Sequence, residues 1–199
     1  MSYKLVIGDI FDKKFCNSQT CVIQQCNCIA LKPHGLSKDI VTKFGAYADV
    51  YGLRKGKTEN IANIEYRDKP GTIKFCHGSP NVVALFGQFM FGNVRSRTLW
   101  KNRLFGKIDT HLDDGINHDT QPNRLIYFQK ALVSLNDYLL THNKLKICTI
   151  VFPYKIGCGL AGGIWDDYKK EIEKFSKRFI STNTNELEVF VVYNPNFQK

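Results

Sequence analysis

The sequence contains no long apolar run. Its hydrophobic stretches fall well short of the roughly 20 residues a membrane-spanning helix needs, so no membrane segment is expected. No secretory leader is expected either. Met1-Ser2-Tyr3-Lys4-Leu5-Val6-Ile7-Gly8-Asp9 turns polar too soon for one and reads as a first strand. There is no internal repeat and no low-complexity linker. The seven cysteines are an odd number in no disulfide-scaffold spacing, so reduced thiols and a cytoplasmic or nuclear setting are expected. The paired CxxC spacing of a structural metal is absent too. Cys26, Cys28 and His34 make half a site at most, and no metal and no cofactor is expected.

What is present suits one sizeable domain over residues 1–199, expected to be a monomer. Hydrophobic content of 43% and charged content of 23% are those of a folded globular chain. The net charge of +10 favours an anionic partner: nucleic acid, nucleotide or an acidic surface. No long basic run appears. The densest patch is Arg54, Lys55 and Lys57, followed by Arg95, Arg97, Lys101 and Arg103. Neither has the aromatic interleaving of an RNA-binding sheet, so a solvated basic surface competes with a nucleic-acid groove.

Apolar periodicity lays out alternating elements. Leu5-Val6-Ile7, Thr20 to Gln24, Gly71 to Cys76, Asn81 to Phe86, Ile147 to Phe152 and Leu187 to Tyr193 read as strands. Leu36, Ile40 and Phe44 repeat at helical spacing. Asp119-Thr120-Gln121-Pro122-Asn123 reads as the start of a helix striped by Leu125, Phe128, Leu132, Leu135 and Leu139. Trp165, Tyr168, Ile172, Phe175 and Phe179 stripe another. Residues 91 to 118 form a long polar and basic connection. The expected fold class is α/β: a three-layer α/β/α sandwich with a mixed, largely parallel central sheet. Ligands of such sheets sit beyond the carboxyl ends of the strands.

The segment Pro153-Tyr154-Lys155-Ile156-Gly157-Cys158-Gly159-Leu160-Ala161-Gly162-Gly163-Ile164-Trp165 lies at such an end. Four glycines fall within seven residues between strand and helix. That arrangement lets backbone N–H groups close on an anion, with the helix N-terminus adding partial positive charge. Gly8-Asp9-Ile10, Asn27 to Gly35 and Tyr193-Asn194 also follow strand ends and can line the same cleft.

Taken in order, these places resemble the macro domain, an ADP-ribose-binding fold, over nearly the whole chain. Gly8-Asp9-Ile10 is similar to the family's early Gly-Asp-Ile, whose aspartate receives the adenine amino group. Val22-Ile23-Gln24-Gln25-Cys26-Asn27-Cys28 resembles the strand ending in an asparagine that faces the distal ribose. His34-Gly35-Leu36 is similar to the segment that hugs the diphosphate and distal ribose. Ile156-Gly157-Cys158-Gly159-Leu160-Ala161 resembles the second phosphate loop. Val83 to Gln88 and Phe152 to Gly163 resemble the branch containing ADP-ribose-1″-phosphate phosphatases.

The resemblance implies ligand contacts from Asp9, Ile10, Asn27, Gly35, Leu36, residues 156–161 and Tyr193, with Tyr193 stacking on adenine. It implies Asn27 and His34 at the reacting end of a hydrolase. Each residue also has a plain structural role open to it. Asp9 can be a strand-end turn residue, Asn27 a loop cap, His34 a polar loop residue, Cys158 a packing thiol, and Tyr193 half of a core contact. Two departures weigh against catalysis: Ala161 and Ile164 stand where relatives often carry acids. Three functions follow: hydrolysis of an ADP-ribose derivative, a non-catalytic ADP-ribose reader, and, more weakly, a basic nucleic-acid-binding module.

Overall fold

The computed structural model describes residues 3–56, 60–94, 118–182 and 187–197, with the side chains of 179–182 and 197 outside that set. Lys57, Arg95, Arg97, Lys101, Arg103, the Phe179 side chain and nearly all of the 91–118 connection therefore lie outside the described residues.

The β-branched and apolar runs build a six-stranded sheet. Its strands are β1 (Lys4–Ile7), β2 (Thr20–Asn27), β3 (Ile73–Cys76), β4 (Asn81–Gln88), β5 (Thr149–Pro153) and β6 (Glu188–Tyr193), in the order β1-β6-β5-β2-β4-β3. Every pair is parallel except β3 with β4, which is antiparallel at one edge. This is the mixed, largely parallel sheet expected from the sequence. β2 runs three residues past Gln24, because Gln25 and Asn27 still pair with β4 across a shift in register. The shift turns the end of β2 without ending the ladder.

The middle of the sheet is covered on both faces, so β2 and β4 are buried almost throughout, the polar Thr20, Gln24, Asn27, Asn81 and Gln88 included, whereas the edge strand β1 is largely exposed. Cys21, Ile23, Val83, Leu85, Ile150 and Phe152 face helices α2 (Gln121–Thr141) and α3 (Trp165–Thr182). Phe128, Leu132 and Leu135 from α2 and Tyr168, Ile172 and Phe175 from α3 fill that layer, as their spacing predicted. On the other face Val22, Val82, Val151 and Val192 pack under α1 (Leu36–Phe44), which inserts Ile40 and lays Leu36 and Phe44 against the cluster.

These connections place the cleft. β5 leads to α3 on one face, and its neighbour β2 leads to α1 on the other. The two following chains diverge and leave a crevice above the β5–β2 boundary. No helix among the described residues is long and apolar enough to cross a membrane.

Candidate functional site

The glycine loop after β5 turns back on itself. The Gly162 N–H donates to the Gly159 carbonyl at 3.0 Å and the Gly163 N–H to the Gly157 carbonyl at 2.9 Å. Lys155, Gly157 and Gly162 have φ of 56°, 73° and 71°. Gly157 could carry no side chain: a Cβ there would collide with the Tyr168 ring and with Oε1 of Gln25. The loop thus rests directly on β2. Among the described residues, the N–H groups of Gly157, Gly159, Leu160 and Ala161 take no intramolecular partner. Four N–H groups within five residues are thus left able to donate to an anion.

The opposing wall is the 27–36 segment. Gly35 caps α1 with φ 55° and no side-chain cap; the N–H groups of Lys38 and Asp39 donate to its carbonyl, and those of Leu36 and Ser37 take no partner among the described residues, which leaves them open for a ligand. His34 is exposed at the end of this loop, with no hydrogen-bond partner among the described residues. Asn27 is buried, and its amide works within the loop. Its Oδ1 accepts from the N–H groups of Ile29 at 3.1 Å and Ala30 at 2.7 Å, and its Nδ2 donates to the Tyr51 hydroxyl at 3.4 Å. The loop-capping role that the sequence left open for Asn27 is therefore occupied.

At the far end of the cleft, Asp9 joins the ends of β1 and β6. Its Oδ1 accepts from the Phe11 N–H at 3.0 Å and its Oδ2 from Nδ2 of Asn194 at 2.8 Å. Each oxygen keeps a lone pair for a further donor. Ile10 is buried beneath it. Tyr193 packs edge-on against Tyr154 with ring centroids 4.9 Å apart. With Leu5 and Lys155 these two tyrosines line a surface cavity of about 370 Å³. The sheet order thus sets Asp9, Tyr193, the 156–161 loop, Asn27 and Gly35 along one edge of the sheet.

Cys158 is not poised as a nucleophile. Burial pushes its thiol up to about 12 against the opposing pull of Lys155, and its Sγ donates to the Ile156 carbonyl at 3.3 Å. Of its neighbours, Ile156 and Ala161 are buried, whereas Leu160 projects 66% exposed. Groups of three or more metal-ligating side chains are absent among the described residues.

Arg54 overturns its place in the proposed basic patch. It is 8% exposed, because its guanidinium is drawn beneath the 27–30 turn. There it donates to the carbonyls of Asn27 at 3.0 Å and Ala30 at 2.6 Å, pairs with Asp68 at 2.5 Å, and lies over the Tyr51 ring. A second buried pair, Asp119 with Arg124, lies behind the glycine loop, where Arg124 donates to the Ala161 carbonyl at 2.8 Å. Neither pair was recognised in the sequence. The only signal for the second was an aspartate ahead of a helix that Thr120, rather than Asp119, caps.

No family model matches the sequence, and no curated protein matches it either. Solved structures match by shape. The macrodomain of Mycobacterium tuberculosis DarG aligns with TM-score 0.57 at 13% identity, over 97% of this chain and 99% of that one. An Oceanobacillus iheyensis macrodomain aligns with TM-score 0.57 at 14% identity, over 97% of this chain and 85% of that one. The Trypanosoma brucei macrodomain solved in complex with ADP-ribose aligns with TM-score 0.54 at 13% identity, over 98% of this chain and 63% of that one. This chain has the macrodomain fold.

Proposed function

We propose, with the macrodomain fold as premise, that this chain binds ADP-ribose, free or attached to a macromolecule, and hydrolyses an ADP-ribose derivative. The observation that carries the binding is the row of open N–H groups at Gly157, Gly159, Leu160 and Ala161, facing a wall that ends at the uncapped start of α1. Backbone donors that no group among the described residues satisfies suit a diphosphate, which brings several acceptor oxygens at once. Gly35 and Leu36 would close on the same group from α1. Asp9, Ile10 and Tyr193 would take the adenine, with a free lone pair of Asp9 accepting from its amino group. Asn27 and His34 would stand at the distal ribose. His34 is the group suited to hold or move a proton for an attacking water.

A second reading, a reader that binds without turnover, is favoured by Asn27. Its amide is committed to Ile29, Ala30 and Tyr51, which leaves little of it for a substrate. The nucleic-acid reading loses Arg54, which is buried.

Calorimetry with ADP-ribose tests the binding. A dissociation constant in the micromolar range, about −8 kcal/mol, is expected, and no heat at millimolar ligand would end the proposal. Release of phosphate from the 1″-phosphate, or of ADP-ribose from modified protein, separates hydrolase from reader.

A further inference from the structure

We propose that Asp119 and Arg124 are positioning residues for anion binding: they set the shape of the 157–161 loop from behind without touching the ligand. The proposal rests on the diphosphate reading above.

Arg124 lies in the first turns of α2 and is 2% exposed, and Asp119 is fully buried. The guanidinium is saturated. It donates twice to Asp119, at 2.9 and 2.5 Å, and to the carbonyls of Ala161 at 2.8 Å, Gly92 at 2.8 Å and Met90 at 3.3 Å. Asp119 is tied in turn to the N–H groups of Phe89 and Met90, each at 3.0 Å. One ion pair thus joins the end of β4, the start of α2 and the glycine loop.

A buried ion pair is a poor source of stability compared with apolar packing. What a planar guanidinium adds is direction, because its donors lie in a fixed fork. Here one of them fixes the Ala161 carbonyl. One helical turn earlier Gln121 does the same for the next carbonyl, with its Nε2 2.8 Å from the Gly162 oxygen. Two consecutive carbonyls are thereby spent on α2. The N–H groups of Gly162 and Gly163 are spent inside the loop, and among the described residues nothing takes those of Gly157, Gly159, Leu160 and Ala161. No polar side chain within the 156–163 segment could impose this arrangement, because apart from Cys158 it consists of glycine and aliphatic residues. A cradle shaped before the ligand arrives loses less entropy on binding.

The test compares the wild-type chain with Arg124→Lys and Gln121→Ala. Lysine keeps a cation beside Asp119 but cannot span the three carbonyls. In calorimetry, Arg124→Lys is expected to bind ADP-ribose and ADP about tenfold more weakly while adenosine binding changes less than about twofold. In a folded variant, undiminished diphosphate affinity or an equal loss for adenosine overturns the proposal. If Arg124→Lys does not fold, Gln121→Ala decides: about threefold weaker ADP binding is expected, and an unchanged constant overturns it. Amide exchange of Gly162 and Gly163 gives a ligand-free readout. Exchange about tenfold faster in the variant that folds supports the clamp, and unchanged exchange overturns it. A wild-type chain that takes neither ADP-ribose nor ADP, with exchange still accelerated in the variant, refutes the ligand reading alone.

Discussion

Arg54 donates to the carbonyl of Asn27 at 3.0 Å, so the residue offered by the sequence as a ribose contact is held from beneath by a buried cation. The same guanidinium reaches Ala30 three residues on, and Asn27 bridges the identical turn with its own Oδ1. The wall of the cleft is thus shaped by a charge that never reaches the cleft surface. Replacing Arg54 by Met is expected to destabilise the chain by about 3 kcal/mol, because two carbonyls and Asp68 lose their donor together. A urea midpoint unchanged from wild type would contradict the arrangement.

Gly157→Ala should damage fold and site together. A φ of 73° disfavours any β-carbon, and this one would press on Tyr168 and Gln25. A loss of about 2 kcal/mol in thermal or chemical unfolding is expected, with loss of ADP-ribose binding in whatever fraction folds. Gly159→Ala is the control. A Cβ there meets nothing within 4 Å, so its stability should stay near wild type.

Asp9→Ala should loosen base selectivity. The carboxylate that holds Asn194 is also the acceptor proposed for the adenine amino group. The ratio of ADP to GDP affinity is expected to fall by about tenfold toward unity, since one hydrogen bond to a charged acceptor is worth about 1.5–3 kcal/mol. A ratio that survives the substitution would place the adenine elsewhere.

Cys158→Ala should leave any turnover largely intact, because a thiol pushed up to about 12 stays protonated near neutrality. Rates measured side by side with wild type decide this. A loss of a hundredfold or more would make the thiol a nucleophile after all.

Alkaline pH should weaken the fold. Burial raises the Cys26 thiol from 9.0 to about 11 and the Cys158 thiol to about 12. The folded state holds these protons more tightly than the unfolded chain does. Their contribution is complete below about pH 9 and is lost as pH climbs through about 11 to 12. Melting temperature followed from pH 8 to 11 should hold level at first and then decline, and a flat profile throughout would count against it.

The sequence by itself determined the layers. Apolar spacing at two and at three to four residues marked the strands and the three helices. The order of elements implied a mostly parallel sheet, and the glycines at 157, 159, 162 and 163 marked the phosphate-type loop. These are local properties, carried by side-chain periodicity and backbone freedom over a few residues. Tertiary structure alone decided which polar groups remain for a ligand. Asn27 is spent on its own turn, Arg54 leaves the surface for the carbonyls beneath that turn, and Asp119 with Arg124 grips Ala161 from a helix 37 residues earlier in the chain. A buried polar group must find its partner wherever the fold brings one, and partners so far apart in sequence leave no periodic trace.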